Sequence, residues 1–474
     1  MAGMAVPLLL VALAMPVLPL SAALARDETA LDRYVAAPDP DYDDALVSTL
    51  PGPGYTAHVL ELTSQRWRTP AEVDQPIWKH WLTIVEPEHV SSDIGVLVIS
   101  GGSTQGKPPA QVNPLLAFLA VTTHSVVSEV RMVPNEPLKF ADEARTRKED
   151  AITAYSWDKY LRTGDETWPI RLPMTKSAVR AMDAVTAFCR SSEGGNLAVH
   201  RFVVGGASKR GWTAWTTAAV DKRVVAIVPV VIDMLNVEPS LEHQYQAYGF
   251  WAPPLRDYEE MGIMGWRGTP QMKRLLAIED PYAYRDRLTL PKFIVNSTGD
   301  QYFLPDSSQF YSGGLKGETY LRYVPNTDHS MRSVDAAESV IAFYQSILDD
   351  TPRPKYRWRF AADGSIRVET ETRPLAVKLW QAANPAARDF RLATIGPAFR
   401  SSVLSDQGGG VYIGAVPPPK QGWVAYFVEM SFPGPGAYPF TVTTGVRVAP
   451  DVLPFAAAPT AEVNDPASRH EGGR

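Results

Sequence analysis

The sequence has one cysteine, Cys189, among 474 residues. A single thiol closes no intrachain disulfide, so the fold must be held by its core even if the chain is exported. Cys189 ends the apolar-periodic segment 181–189, the setting of a buried structural thiol rather than a reactive one. A large excess of either charge is also lacking. The formal net charge is −6 and the pI is near 5.8, which gives no overall attraction to nucleic acid or an anionic membrane. Beyond the first 25 residues no apolar run approaches the length that spans a bilayer. Metal-ligand spacing, a Walker loop and a dinucleotide fingerprint are all missing. The run Gly101-Gly-Ser-Thr-Gln-Gly106 is glycine-rich but lacks the Lys-Ser/Thr ending of a phosphate loop. No cofactor and no metal are therefore expected.

What is present is ordinary globular composition, 45% hydrophobic and 21% charged, which argues against disorder or a fibre. The length suits a large enzyme core plus a second domain, at roughly 100–200 residues per domain. Residues 1–25 read as an export signal: 5–20 is almost wholly apolar, and Ala23-Leu24-Ala25 supplies small residues for cleavage before Arg26. Pro7, Pro16 and Pro19 interrupt the run, which weakens the alternative of a membrane anchor. The expected location is the periplasm or the cell exterior, with no stable membrane insertion once the signal is removed.

Residues 29–38 predict a short helix running into a proline-rich arm. The segments 58–63 and 78–85 alternate apolar and polar, as antiparallel strands do. Continuous apolar runs at 94–100, 125–130 and 224–232 suit strands buried on both faces of a parallel sheet. Helical spacing at 150–160 and 174–188 falls between them, and strand–helix alternation of this kind predicts an α/β layered domain over 26–350. Residues 234–290 lack strand pattern and are rich in aromatics, including Trp251 and Trp266. A cap over a site is the reading taken, with those two tryptophans as substrate contacts. Segments 292–296 and 318–324 restore the sheet, and 336–348 closes it with a helix. After Asp350-Thr-Pro-Arg-Pro354 the pattern becomes short alternating runs, predicting a small antiparallel β-sandwich over 355–457. Residues 458–474 are small and polar, a disordered tail.

The stretch that organises these elements is 201–215. A short apolar run meets Gly205, Gly206, Ala207 and Ser208, then Gly211 and residues able to open a helix. This is how a strand–turn–helix elbow presents a serine hydroxyl, although the second glycine comes one residue later than in G-x-S-x-G and Arg210 takes its place. A serine nucleophile needs a histidine base, and the base needs a carboxylate to orient it. In an α/β-hydrolase these follow in the order serine, acid, histidine at the ends of successive strands. His329, after the strand ending at Val324, is where the base should lie. Asp300 after the preceding strand is the first choice of acid, with Asp306 and Asp233 as competitors. The oxyanion hole should combine the Lys209 backbone N–H with donors near Gly102 and Ser103. Arg210 is a candidate to bind an acidic substrate group.

Several runs in order resemble the PhoPQ-activated pathogenicity-related family, bacterial exported proteins with amoebal relatives that include an autocrine proliferation repressor. They are Ser64-Gln-Arg-Trp67, Trp78-Lys-His-Trp81, Val133-Pro-Asn-Glu-Pro137, Glu149-Asp-Ala-Ile-Thr-Ala-Tyr155, Leu172-Pro-Met-Thr-Lys176, Gly206-Ala-Ser-Lys-Arg-Gly-Trp212, Gly299-Asp300 with Leu304-Pro-Asp306, and Thr327-Asp-His329. The resemblance implies an α/β-hydrolase with a C-terminal β-domain and treats the late glycine as a family trait, but it brings no substrate. The elbow is more distantly similar to that of glucuronoyl esterases, a hint towards carbohydrate esters. The expected function is an exported serine hydrolase, an esterase or peptidase acting on a small-molecule or peptide substrate. The competing expectation is a non-catalytic binding or signalling protein on a hydrolase scaffold.

Overall fold

The computed structural model describes residues 28–331 and 334–459. The expected export signal lies outside the described residues, as does the expected tail beyond Pro459. Helix α1 (Ala30–Ala36) opens the chain with a capping box, Thr29 Oγ1 accepting from the Asp32 N–H while Asp32 accepts from Thr29 N. The expected proline-rich arm contains a strand, β1 (Asp43–Gly52). Most of its residues are exposed, so no burial alternation marks it in the sequence. It pairs antiparallel with β2 (Tyr55–Arg66), which pairs with β3 (Ile77–Pro87).

Next come β4 (Ile94–Ile99), α2 (Pro114–Thr123) and β5 (Val127–Val130), followed by a short hairpin, β6 (Leu138–Lys139) with β7 (Thr146–Arg147). Helices α3 (Asp150–Thr163) and α4 (Arg171–Arg190) precede β8 (Arg201–Ala207), α5 (Lys209–Val220) and β9 (Val224–Val230). The cap-like insert holds α6 (Val237–Tyr248), α7 (Arg256–Glu260) and α8 (Pro270–Glu279), with 3-10 turns between them. The sheet resumes with β10 (Lys292–Ser297) and β11 (Thr319–Val324), and α9 (Val334–Leu348) closes this part.

In space the strands run β1-β2-β3-β5-β4-β8-β9-β10-β11. From β5 to β11 every pair is parallel, while β3 meets β5 antiparallel. That order and those directions are the α/β-hydrolase sheet. Side chains alternate along each strand between two cores. Phe202 and Val204 join the core under α4 and α5, while Val203 faces the one under α2 and α9. Helices on both faces explain why these strands read as unbroken apolar runs. Cys189 is buried, as expected, and burial pushes its thiol up to about 12.

The C-terminal part holds β12 (Tyr356–Phe360), β13 (Ile366–Thr370), β14 (Ala376–Asn384), α10 (Leu392–Ile395), β15 (Arg400–Val403), β16 (Val411–Gly414), β17 (Trp423–Phe432), β18 (Phe440–Thr443) and β19 (Arg447–Ala449). As expected, its strands are antiparallel. They form two sheets that share a core containing Ile366, Val368, Leu379 and Val428. One of the sheets is continuous with the hydrolase sheet, because β11 bridges β18 at Leu321 and Thr443 and makes 14 strands in all. Joining in this way covers what would otherwise be an exposed strand edge.

Arg322 secures the junction. Its buried guanidinium donates to Glu429 of β17 at 2.5 Å and to Asp335 of α9 at 2.6 Å. Arg322→Ala would leave Glu429 buried with Lys378 at 3.5 Å as its remaining ion-pair contact, and is expected to lower the unfolding free energy by about 3–5 kcal/mol. Urea denaturation reads this. The double replacement Arg322→Met with Glu429→Met is expected to recover most of the loss, since an apolar pair carries no desolvation penalty.

Candidate active site

Ser208 stands at the end of β8 with φ 56° and ψ −129°, a backbone state that a residue with a Cβ holds only when its surroundings impose it. The turn is tight. A Cβ on Gly206 would meet the Arg210 carbonyl oxygen at 2.6 Å, and one on Gly211 would meet Ile232 Cγ2 at 2.7 Å and the Gly206 oxygen at 3.0 Å. The late glycine thus has a steric cause: α5 crosses the strand on its Gly211 face, and the side chain at 210 points away.

Arg210 is directed into a charge cluster. Its Nη1 and Nη2 donate to the two oxygens of Glu149 at 2.7 and 2.9 Å, and its Nε donates to the Val133 carbonyl at 2.5 Å. Lys209 Nζ donates to Glu149 at 2.7 Å and lies 3.4 Å from Asp150. Burial acts to raise the Glu149 carboxyl, but Arg210 and Lys209 outweigh it and hold it low. Glu136, buried beside Glu149, is pushed the other way, up. The two cations that follow Ser208 are therefore matched by carboxylates of this chain. Arg210 lines the cleft, as its anticipated role requires, but its guanidinium is held by Glu149 and the Val133 carbonyl and so also secures the elbow.

His329 lies on the loop after β11, and its Nδ1 is 2.8 Å from Asp300 Oδ2. The second Asp300 oxygen accepts the Tyr302 N–H at 2.7 Å. The His329 ring packs on Tyr302 at 4.3 Å between centroids, and its backbone N–H donates to Gln301 at 3.1 Å. With Nδ1 held by a carboxylate, Nε2 is the nitrogen free to take a proton. Of the three acids left open by the sequence, Asp300 is the one that faces His329. Asp306 is engaged by His243 at 3.1 Å and Arg388 at 2.6 Å. Burial would raise its carboxyl, yet these partners hold it well below the usual range. Asp233 sits between the hydroxyls of Tyr311 and Tyr323, at 2.5 and 2.6 Å.

Ser208 and His329 line one open cleft, together with Ser100, Gly101, Glu149 and Tyr302. Among the described residues no hydrogen bond engages the Ser208 hydroxyl, and such contacts commonly tighten only when substrate is bound. The Lys209 N–H heads α5 and faces no carbonyl of its own helix. From the loop after β4, Ser100 and Gly101 reach the cleft wall, whereas Gly102 and Ser103 do not. Trp251 and Trp266 are not brought to the site either. Trp251 packs against Tyr245 with the rings tilted and lies beneath the Arg267 guanidinium, and Trp266 is buried in the cap. The tryptophans near Ser208 are Trp157 and Trp212.

Sequence reasoning missed the supports of the elbow. Arg171 of α4 donates to the Lys209 carbonyl at 2.6 Å and to Thr213 Oγ1 at 3.0 Å. The motif residues 64–65 and 80 form a buried polar cluster with Ser177, Ser64 Oγ lying 2.9 Å from His80 Nε2 and 3.1 Å from Ser177 Oγ. Asn135 exchanges hydrogen bonds with the Lys79 backbone at 2.7 and 2.8 Å, and its neighbour Glu136 accepts the Glu149 N–H at 2.7 Å. Spacing along the chain carries no signal for these pairings, because the partners lie between 13 and 113 residues apart.

Burial pushes Asp233 up to about 8 from an ordinary 3.8, against the pull of the two tyrosine hydroxyls. Between those values the folded protein binds a proton that the unfolded chain has released. Stability should therefore fall as pH rises from about 4 to 8. Asp233→Asn is expected to flatten that slope, measured as the difference in Tm between the two proteins across this range. A second expectation concerns the elbow: Gly211→Ala should displace α5 from Ile232 and remove the Ser208 geometry, seen as lost reactivity of Ser208 together with a lowered Tm.

Comparison with known proteins agrees with the runs quoted above. The sequence model described as "PhoPQ-activated pathogenicity-related protein" matches residues 31–391. Autocrine proliferation repressor protein A of Dictyostelium discoideum is 36% identical over 456 residues, covering 90% of this chain and 92% of that protein. Among solved structures, an acetyl xylan esterase from Paenibacillus sp. R4 aligns with 67% of this chain and 91% of its own, at 15% identity and a TM-score of 0.45. Acetyl xylan esterase 1 from a Thermoanaerobacterium species gives the same figures. No helix among the described residues is long and apolar enough to cross a membrane. The α/β-hydrolase sheet, the late-glycine elbow and the match over 31–391 together make this chain a member of the PhoPQ-activated pathogenicity-related protein family.

Proposed function

We propose that the protein is an exported serine hydrolase that cleaves an ester or amide bond through an acyl-enzyme on Ser208. The observation that carries this reading is the 2.8 Å Asp300–His329 pair on the cleft that also holds the elbow serine. In the first step Ser208 Oγ attacks the substrate carbonyl carbon while its proton passes to His329 Nε2. Asp300 stabilises the imidazolium through Nδ1. The tetrahedral oxyanion would be met by the Lys209 N–H and by the Gly101 N–H, both on residues that line the cleft. Collapse breaks the bond to the leaving group, which departs with the proton from His329. Water then repeats the sequence on the acyl-enzyme and releases the acid and free Ser208. Export rests on the apolar run 5–20 and the small residues before Arg26.

A second reading, a signalling protein that does not use its serine, is favoured by the name of the Dictyostelium relative, an autocrine repressor of proliferation. Labelling with a fluorophosphonate probe separates the two. The wild type is expected to label and Ser208→Ala not to. Asp300→Asn should cut turnover of an activated ester by about 10⁴-fold, through loss of the correct histidine tautomer. Asp306→Asn should leave the labelling rate within a few-fold of wild type, because its partners are Arg388 and His243. A folded wild-type protein that neither labels nor turns over any ester or peptide would favour the signalling reading.

A further inference from the structure

Ser208 borders two adjoining spaces. One is the open cleft with His329. The other is a more apolar chamber running beneath the cap, and Ser208, Lys209, Asp150 and Tyr302 line both spaces. Fourteen of the chamber's twenty lining residues are apolar or aromatic, so its chemistry is set by hydrophobic contact rather than hydrogen bonding. Its walls are Trp157 of α3, Trp212 of α5, Leu241 of α6, and Met272 and Leu276 of α8. Two buried arginines also line it, which raises the alternative of an anion site. Both are engaged. Arg171 serves the Lys209 carbonyl, Thr213 and Glu279. Arg267 donates to the Met264 carbonyl at 2.6 Å and the Ala458 carbonyl at 3.1 Å, and stacks on Trp251.

Resting on the serine-hydrolase reading above, we infer that this chamber is the acyl pocket and that the substrates are esters of short to medium-length aliphatic acids with a polar leaving group. The side follows from the proton. His329 must hand its proton to the leaving group, and His329 lines the open cleft but not the chamber. The leaving group therefore lies in the cleft, beside Glu149 and solvent. The acyl tail goes the other way, into the chamber. The length follows from the space. The chamber's volume of about 70 Å³ is small, which admits a short aliphatic tail and not a long one. Met234, Met264 and Met272 in the wall are flexible enough to tolerate branching in the tail.

The test is turnover of p-nitrophenyl esters from acetate to dodecanoate by the mature full chain. kcat/KM should rise by roughly fourfold per methylene, peak between butyrate and octanoate, and fall beyond. Leu276→Phe and, independently, Leu241→Phe narrow the chamber from different cap helices. Each is expected to lower the hexanoate-to-acetate ratio by tenfold or more and to move the peak to shorter acids. Two variants guard against one failing to fold, which circular dichroism checks. Fluorophosphonate labelling with a flat chain-length profile, or a peak that neither variant moves, overturns this inference while leaving the serine-hydrolase reading intact. No labelling and no turnover of any ester overturns both.

Discussion

Ser208 carries backbone angles that cost roughly 1–3 kcal/mol for a residue with a Cβ, and much of the surrounding structure is arranged to hold them. The charge-assisted bond from Arg171 to the Lys209 carbonyl contributes about 1.5–3 kcal/mol by itself, enough to offset that strain. The bidentate Arg210–Glu149 contact fixes the next residue in turn. Glu149 is strained as well, with φ 50° and ψ −127°, and its N–H is taken by Glu136. Two residues in rare backbone states thus brace each other across the cleft through a guanidinium. The local fold over-determines both.

The same logic explains why two cations next to a candidate nucleophile do not make the site strongly positive. Lys209 and Arg210 face Glu149 and Asp150, so the formal charges in this cluster cancel. What remains directed at the cleft is a neutral elbow, an oriented histidine and backbone N–H groups. Such a site suits chemistry in which charge develops during the reaction rather than arriving with the substrate.

The C-terminal part contributes to the site without lining it. Leu392 at the start of α10 donates to the Gly299 carbonyl at 2.9 Å, directly before Asp300. A Cβ on Gly299 would meet Leu392 and the Thr327 oxygen at 2.8 Å, which is why a glycine precedes the acid. Asn326, three residues before His329, exchanges hydrogen bonds with the Phe399 backbone at 2.9 and 3.1 Å. Segment 451–459 returns to the cap, where Phe455 N donates to the Gln246 carbonyl and Ala458 N to Glu242. The acid loop, the histidine loop and the cap are therefore each anchored on residues beyond 388.

The sequence by itself determined the layered α/β character, because strands covered on both faces must be apolar throughout, and the order serine, acid, histidine, because strand ends in such a sheet fall at readable intervals. It also marked 206–211 as an elbow, since a sharp turn needs small residues. Only the tertiary structure decided which carboxylate meets His329. Asp233, Asp300 and Asp306 all follow strands, and the choice depends on which loop approaches the histidine. The fates of Arg210, Trp251 and Trp266 were equally closed to sequence reading. Each side chain is absorbed by a partner remote in the chain: Glu149 for the arginine, Arg267 for Trp251 and the cap core for Trp266. Periodicity reports which face of an element is buried, but not what lies opposite it. The fusion of the C-terminal strands to the central sheet is of that kind, resting on one bridge between Leu321 and Thr443 and on a buried arginine whose partners lie 13 and 107 residues away.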